Sequence, residues 1–175
     1  MSSEDDPDRR KFLKLATCGL GGVVGIAATA PAISLVLAPA QRQTVTTPKD
    51  PIDLGDAGIA KTWTEWRKVD VIAPEVRDGW TTARNVVLGA AFVRATKDQT
   101  FEALSGVCPH LGCAVGWENN AFLCPCHDSK FAADGARQTG PSMRGLDPLP
   151  IEVKDGRLRL TWVRYKLDTA SREPV

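Results

Sequence analysis

The sequence predicts an all-β domain that follows one apolar helix near the N-terminus. Residues 15–40 form a run of 26 residues without a charged side chain. After residue 50, several short segments alternate between apolar and polar residues, as half-buried strands do, and none has a convincing helical period. A chain of 175 residues has room for one domain and this appendage, but not for two domains of typical size.

The composition is that of an ordinary globular protein. Hydrophobic residues make up 43% and charged residues 25% of the chain, which excludes a disordered or collagen-like polypeptide. Lys and Arg number 22 against 21 Asp and Glu, a net charge of +1. This balance argues against a strongly basic nucleic-acid-binding protein, so no nucleic-acid partner is expected.

The apolar run predicts a membrane anchor. As a helix, residues 15–40 would extend about 39 Å, which exceeds a hydrocarbon core of roughly 30 Å. The glycines and the proline in the run are tolerated better in membrane helices than in soluble ones. Basic residues precede the run, which predicts a cytoplasmic N-terminus for residues 1–14. These residues are Arg9, Arg10, Lys11 and Lys14.

The segment from Arg9 to Lys14 reads Arg-Arg-Lys-Phe-Leu-Lys and resembles the twin-arginine export signal. The resemblance implies export of an already folded protein, which suits a protein that acquires a cofactor in the cytoplasm. A plain signal-anchor with accidental paired arginines is the alternative. Residues 38–40 are weakly similar to a cleavage site, but the apolar run is longer than the 7–15 residues typical of a cleaved signal. We therefore expect the anchor to be retained.

The anchor is followed by a predicted tether and then by the β domain. Residues 41–51 are polar and contain two prolines, which favours an extended linker, with an ordered arm as the alternative. The β domain is predicted over residues 52–175. Asp155-Gly156 separates two alternating runs, a strong hairpin signal. The predicted strands lie near residues 66–71, 85–95, 100–104, 151–154 and 157–162.

Two short boxes carry the chemistry. The first runs from Cys108 to Cys113 (CPHLGC) and the second from Cys124 to Ser129 (CPCHDS). Each contains a cysteine and a histidine at short spacing, so two thiolates and two imidazoles can form a four-ligand metal site. Structural zinc would use the same donors. Each box also holds one further cysteine, and their matching placement suggests a disulfide, which requires an oxidising compartment.

Together the boxes resemble those of the Rieske iron–sulfur proteins, specifically the iron–sulfur subunit of quinol–cytochrome c reductases. The resemblance implies an antiparallel β-sandwich with a cluster-binding subdomain that holds one 2Fe–2S cluster. It implies that Cys108 and Cys124 bind one iron, that His110 and His127 bind the other, and that Cys113 and Cys126 form a disulfide. Two imidazoles in place of two thiolates raise the reduction potential above that of all-cysteine clusters.

The resemblance also implies the reaction and the partners. A quinol would donate an electron to the cluster and a proton to a ligand histidine, and a c-type cytochrome would accept the electron. His110 and His127 are the predicted catalytic residues, with His127 expected to hydrogen-bond the quinol. The expected partners are quinol, membrane lipid, a cytochrome b-type subunit and the cytochrome. The protein would be a single-pass subunit of the bacterial cytoplasmic membrane, with its cluster domain on the outer side and a tether that lets this domain swing.

Several residues depart from the usual family pattern. Gly140–Met143 matches the start of the family's proline-rich loop, with Met143 in place of the second proline. Ser129 stands where the family has a serine hydroxyl that bonds a bridging sulfide. Phe131 replaces a tyrosine that bonds a ligand sulfur in many high-potential members, and Asp128 replaces a common glycine. Fewer donors and more negative charge lower the potential, which predicts menaquinol as the substrate.

Two other functions fit parts of this pattern. One is the Rieske small subunit of a periplasmic molybdenum enzyme of the arsenite-oxidising type, which also carries a twin-arginine signal. The other is a zinc-stabilised exported module with a structural or binding role. Retention of the protein in the membrane argues against the molybdenum-enzyme subunit. Metal analysis distinguishes an iron–sulfur protein from a zinc-stabilised module.

Overall fold

The computed structural model describes residues 7–37, 48 and 50–175. Helix α1 extends over 31 residues, Pro7–Leu37, and so begins before the predicted apolar run at residue 15. Pro7 suits a first helical position, and Asp8 in the first turn complements the helix dipole. In the part of the chain that the structure describes, α1 is the one helix long and apolar enough to cross a membrane. Residues 38–40 and most of the predicted tether lie outside the described residues.

The β domain contains ten strands and one four-residue helix, α2 (Ala57–Ala60), among the described residues. Asp56 caps α2, because its carboxylate accepts a hydrogen bond from the Ile59 amide at 3.1 Å. The strands are β1 (Ile52–Asp56), β2 (Arg67–Arg77), β3 (Thr82–Ala95), β4 (Phe101–Ser105), β5 (Gly116–Glu118), β6 (Ala121–Leu123), β7 (Lys130–Phe131), β8 (Arg137–Thr139), β9 (Ile151–Lys154) and β10 (Arg157–Leu160).

These strands form three antiparallel sheets, which confirms the all-β prediction. The sheets have the strand orders β1-β10-β9, β2-β3-β4 and β5-β6-β7-β8. The predicted hairpin is present, with Leu158 opposite Val153. Its turn residues Asp155 and Gly156 have φ values of 53° and 73°. Positive φ at both central positions is what a type I′ turn requires.

Side chains alternate across the central β2-β3-β4 sheet and so contribute to two hydrophobic cores. Ala91 and Val93 pack with Leu158 and Leu160 in the first core. Phe92, which lies between them on β3, belongs instead to the second core. Successive strand residues point to opposite faces, so one sheet supports both cores. The second core also contains the two cysteines Cys108 and Cys124. The buried side of the candidate site is therefore part of this core.

Candidate metal centre

Three loops build the candidate site. The first loop (residues 106–115) connects β4 to β5, the second loop (residues 124–129) connects β6 to β7, and the third loop (residues 140–150) connects β8 to β9. The first two loops contain the two boxes that sequence analysis identified. The third loop contains the Gly-Pro segment that resembles the family's proline-rich loop.

The first loop is closed by backbone hydrogen bonds. Val107 and Ala114 form an antiparallel bridge at its base. Within it, the Cys108 amide donates to the Cys113 carbonyl at 2.8 Å, and the Gly112 amide donates to the Cys108 carbonyl at 2.9 Å. Gly112 has a φ of 82°, a conformation that glycine adopts without steric cost. This turn leaves Cys108 only 1% exposed, whereas the adjacent His110 is half-buried.

The second loop is a similarly tight turn. The Cys124 amide donates to the Ser129 carbonyl at 2.9 Å, which closes the loop. Asp128 has a φ of 54°, in the left-handed region that aspartate tolerates better than most residues. Cys124 and Ser129 are buried, at 3% and 1% exposure, while His127 is exposed.

The two loops bring the four predicted ligands together as an inner pair and an outer pair. The imidazole rings of His110 and His127 meet edge to face, with their centroids 4.9 Å apart. Beneath the surface, the thiols of Cys108 and Cys124 interact with each other. Burial raises the pKa of the Cys108 thiol to about 11, and the Cys124 thiol contributes in the same direction. A bound metal deprotonates its thiol ligands, so a cationic group would relieve the cost of burying this pair.

The additional cysteines join the first loop to the second. Cys113 and Cys126 form a disulfide with an S–S distance of 2.04 Å. The sulfur of Cys124 lies within 4.8 Å of both disulfide sulfurs. This group is not a three-thiolate metal site, because sulfurs in a disulfide are not free thiolates. The donors available to a metal are therefore the thiols of Cys108 and Cys124 and the two imidazoles.

The donor set fits a cluster with two metal positions. Thiolate sulfur and neutral imidazole nitrogen are the ligands that histidine-containing iron–sulfur centres use. Here Cys108 and Cys124 are both buried, and His110 and His127 both lie nearer the surface. The donors therefore separate into a sulfur pair and a nitrogen pair, as two irons with different ligands require.

The third loop packs directly on the second. Gly140 has a φ of 90°, and a Cβ at this position would lie 2.4 Å from the Ser129 Cα, so the approach requires glycine. Ser142 is fully buried, and its amide donates to the Ser129 hydroxyl at 3.2 Å. Met143, where the family has a proline, is 58% exposed. Sequence analysis identified the glycine and the proline of this loop but missed the role of Ser142.

A buried ion pair within the third loop is hydrogen-bonded to the C-terminal tail (residues 164–175). Arg144 and Asp147 are both buried and pair at 2.8 Å. The carboxylate raises the pKa of Arg144 above its ordinary value. Arg144 also donates to the Lys166 carbonyl at 2.9 Å, and the Asp168 amide donates to the Pro109 carbonyl of the first loop at 2.9 Å. The tail therefore fastens the first loop to the third, which no local sequence signal predicted.

The two predicted determinants of potential have contrasting surroundings. Phe131 is fully buried in the second core, and phenylalanine has no hydroxyl to donate there. Asp128 is exposed, so water screens its carboxylate and weakens its influence on a buried group. Phe131 therefore shares a buried core with Cys108 and Cys124, whereas Asp128 faces solvent.

Comparison with known proteins agrees with this geometry. The profile of the family described as "Rieske [2Fe-2S] domain" matches residues 66–150. The "Menaquinol:cytochrome c reductase iron-sulfur subunit" of Geobacillus thermodenitrificans is 33% identical, over 87% of this chain and 89% of the relative. The subunit with the same name from Bacillus subtilis is 31% identical, over 91% of this chain and 95% of the relative. The "Cytochrome b6-f complex iron-sulfur subunit" of Chlorobaculum thiosulfatiphilum is 28% identical, over 87% of this chain and 72% of the relative.

The matched residues include both boxes, both pairs of candidate ligands and the third loop. Similarity to the two menaquinol-linked subunits extends over nearly the whole length of each chain. The family description supplies the cofactor for which the buried thiols and outer imidazoles are suited, a 2Fe–2S cluster. With this fold, this donor set and these relatives, the chain belongs to the Rieske [2Fe-2S] iron–sulfur proteins.

Proposed function

We propose that this chain is the electron-transfer subunit of a membrane quinol–cytochrome c oxidoreductase, with menaquinol as the donor and a c-type cytochrome as the acceptor. The observation that carries the proposal is the pair of imidazoles near the surface above two buried thiols. Relatives named as subunits of menaquinol:cytochrome c reductases support the choice of quinol and acceptor. A cytochrome b-type subunit is the proposed partner in the membrane.

The proposed ligands are Cys108 and Cys124 for one iron and His110 and His127 for the other. When bound, the cluster supplies a centre that takes up one electron at a time. The protein holds the thiolate pair in the dry second core and leaves the imidazole pair accessible. Substrate therefore has access from the histidine side.

The histidines supply the protonic half of the reaction. An imidazole that binds iron through one ring nitrogen leaves the other free to exchange a proton. His127 is the more exposed of the two, so it is the proposed hydrogen-bond partner of the quinol. Leu111 on the first loop and Met143 on the third are 56% and 58% exposed. They provide apolar contact area for a quinone ring.

The proposed topology is a single membrane pass through α1, with the N-terminus in the cytoplasm and the β domain on the outer side. The disulfide supports this orientation, because disulfides persist in oxidising compartments. The basic residues of the segment from Arg9 to Lys14 support a cytoplasmic N-terminus. Twin-arginine export, retention of the anchor and a tether at residues 41–51 belong to the same proposal.

An EPR-monitored redox titration of the membrane fraction tests the function. We expect a rhombic signal of the reduced protein with an average g value below that of the free electron. Rieske centres have potentials of roughly −150 to +300 mV, and a midpoint in the lower half supports menaquinol. The Cys124→Ser and His127→Ala variants should lose the signal, whereas the Cys18→Ala control should keep it. A folded protein that contains zinc and gives no signal contradicts the proposal.

A further inference from the structure

Arg137 on β8 bonds to two backbone carbonyls of the third loop. Its Nε donates to the Ser142 carbonyl, and its Nη2 donates to the Gly140 carbonyl at 2.8 Å. A planar guanidinium presents its donors in a rigid fork, so two bonds to one loop restrict both the position and the orientation of that loop. No ion pair with a carboxylate accompanies these bonds among the described residues. The contacts of this guanidinium are thus directed at the loop backbone.

Ser142, whose carbonyl accepts from Arg137, also contacts the second loop. Ser142 is fully buried. Its amide donates to the Ser129 hydroxyl oxygen at 3.2 Å, and its own hydroxyl donates to the Arg144 carbonyl at 2.8 Å. Ser142 therefore has one hydrogen bond toward the candidate site and two that hold it in place.

The Ser142 amide determines how the Ser129 hydroxyl can act. A hydroxyl has one proton to donate and can also accept hydrogen bonds. Because its oxygen accepts from Ser142, its proton is directed elsewhere. Ser129 is only 1% exposed, and its carbonyl accepts a hydrogen bond from the Cys124 amide at 2.9 Å. The hydroxyl proton is therefore left for an acceptor in the buried surroundings that Ser129 shares with Cys124.

We propose that Arg137 is a positioning residue for the cluster. It holds Gly140 and Ser142 so that the Ser142 amide orients the Ser129 hydroxyl, which donates to sulfur. This inference rests on the proposed ligand set. A hydrogen bond to a cluster sulfur stabilises the reduced, more negative state and so raises the reduction potential. Arg137 therefore favours reduction through the geometry of the third loop, without touching the cluster.

The first test compares the reduction potentials of wild type and Arg137→Ala by EPR titration of the full chain in membranes. We expect the equilibrium constant for reduction to fall about threefold to tenfold; a tenfold change for one electron is 59 mV. Arg84→Ala, which removes an exposed arginine of β3, is the charge-matched control and should leave the potential unchanged. Similar cluster content in both variants shows that the site has assembled.

A double-mutant cycle with Ser129→Ala tests the route of the effect. If Arg137 acts through the Ser129 hydroxyl, Arg137→Ala should shift the potential much less in the Ser129→Ala background than in wild type. An undiminished shift in that background would mean that Arg137 does not act through the Ser129 hydroxyl and would overturn the proposal.

The Arg137→Lys variant separates geometry from charge. Lysine keeps the positive charge but lacks the planar fork, so its potential should lie nearer to that of Arg137→Ala than to that of wild type. A wild-type potential in the lysine variant contradicts positioning by the fork. Hydrogen exchange of the Ser142 amide is a second readout, and it should quicken in both variants.

The outcomes distinguish this inference from the proposed function. If the wild-type protein shows no histidine-ligated 2Fe–2S signal, the ligand set itself is wrong. If the wild-type signal is present but the Arg137 and Arg84 variants share the wild-type potential and exchange rate, only the positioning role is wrong.

Discussion

Arg144 donates two hydrogen bonds to the carboxylate of Asp147, from Nε to one oxygen and from Nη2 to the other, each at 2.8 Å. The two residues are only 6% and 4% exposed. Two parallel bonds between a guanidinium and a carboxylate define a direction as well as a distance. This pair therefore restricts the conformation of the third loop, and Arg144 joins the loop to the tail through the Lys166 carbonyl at 2.9 Å.

Removal of one partner of this ion pair should be strongly destabilising. Arg144→Met would leave the buried Asp147 carboxylate with only the partly exposed Arg172, whose Nε lies 3.3 Å away, at an expected cost of about 3 kcal/mol. Chemical denaturation followed by circular dichroism measures the loss. The control is Arg77→Met, since Arg77 pairs with Glu75 at an exposed position and such pairs contribute about 0–1 kcal/mol. Equal losses in the two variants would show that the buried pair has no special role.

Gly140→Ala should displace the third loop. The new Cβ would meet the Ser129 Cα at 2.4 Å, in addition to the strain of a φ of 90°. Gly156→Ala is a matched control, because Gly156 also has a positive φ, 73°, but nothing lies within 4 Å of its added Cβ. The control should cost about 1–2 kcal/mol from backbone strain alone. We expect a larger loss in Gly140→Ala, together with faster hydrogen exchange at Ser142.

Loss of the disulfide should destabilise the site without removal of a metal ligand. The double variant Cys113→Ala/Cys126→Ala opens a link between residues 13 positions apart, which is worth about 3 kcal/mol for a loop of this size. Thermal unfolding with and without reductant measures the effect. Reductant should lower the melting temperature of wild type and leave that of the double variant unchanged. A reductant effect of equal size in both proteins would contradict a stabilising role for this link.

Phe131→Tyr should raise the reduction potential. The side chain at this position is fully buried and belongs to the same core as Cys108 and Cys124. We expect the new hydroxyl to donate a hydrogen bond to a cysteine sulfur of this core. Such a bond stabilises the reduced state of the cluster. The control is Phe101→Tyr, which adds the same hydroxyl beside the first core and should leave the potential unchanged. A potential that does not rise in Phe131→Tyr counts against the low-potential interpretation.

Protonation of the Asp53 carboxylate in acid should lower the stability of the β domain. Arg157 donates to this carboxylate at 2.9 Å, and this bond, with one from the Gly55 amide, lowers the pKa of Asp53 below its ordinary value. A carboxylate whose pKa is lower in the folded state stabilises the fold above its unfolded pKa, and the contribution is lost as the pH falls through the folded value. Asp53→Asn should therefore flatten the fall in stability below about pH 4. Arg157→Gln should flatten it similarly, and an unchanged slope in both would contradict this assignment.

The sequence by itself determined the architecture and the chemistry of the site. A long uncharged run, alternating strands and an Asp-Gly turn predict one apolar helix and an all-β domain, because these features depend on local periodicity and backbone preference. The spacing of Cys and His in the two boxes predicts a four-ligand metal site, and the resemblance of the boxes to those of Rieske proteins implies the 2Fe–2S cluster. Helix α1 begins at Pro7, before the uncharged run, because polar residues can continue a helix whose end is defined by capping and charge.

Only the tertiary structure decided how the site is supported. Arg137, Ser142 and the Arg144–Asp147 pair are distributed over a strand, a loop and contacts with the tail, and nothing in their local sequence distinguishes them from exposed polar residues. Their roles depend on which backbone carbonyls and hydroxyls lie within hydrogen-bonding distance after the second core has packed. The proposed ligands are local to two short motifs. The groups proposed to orient them come together through contacts between distant segments, which local sequence patterns do not encode.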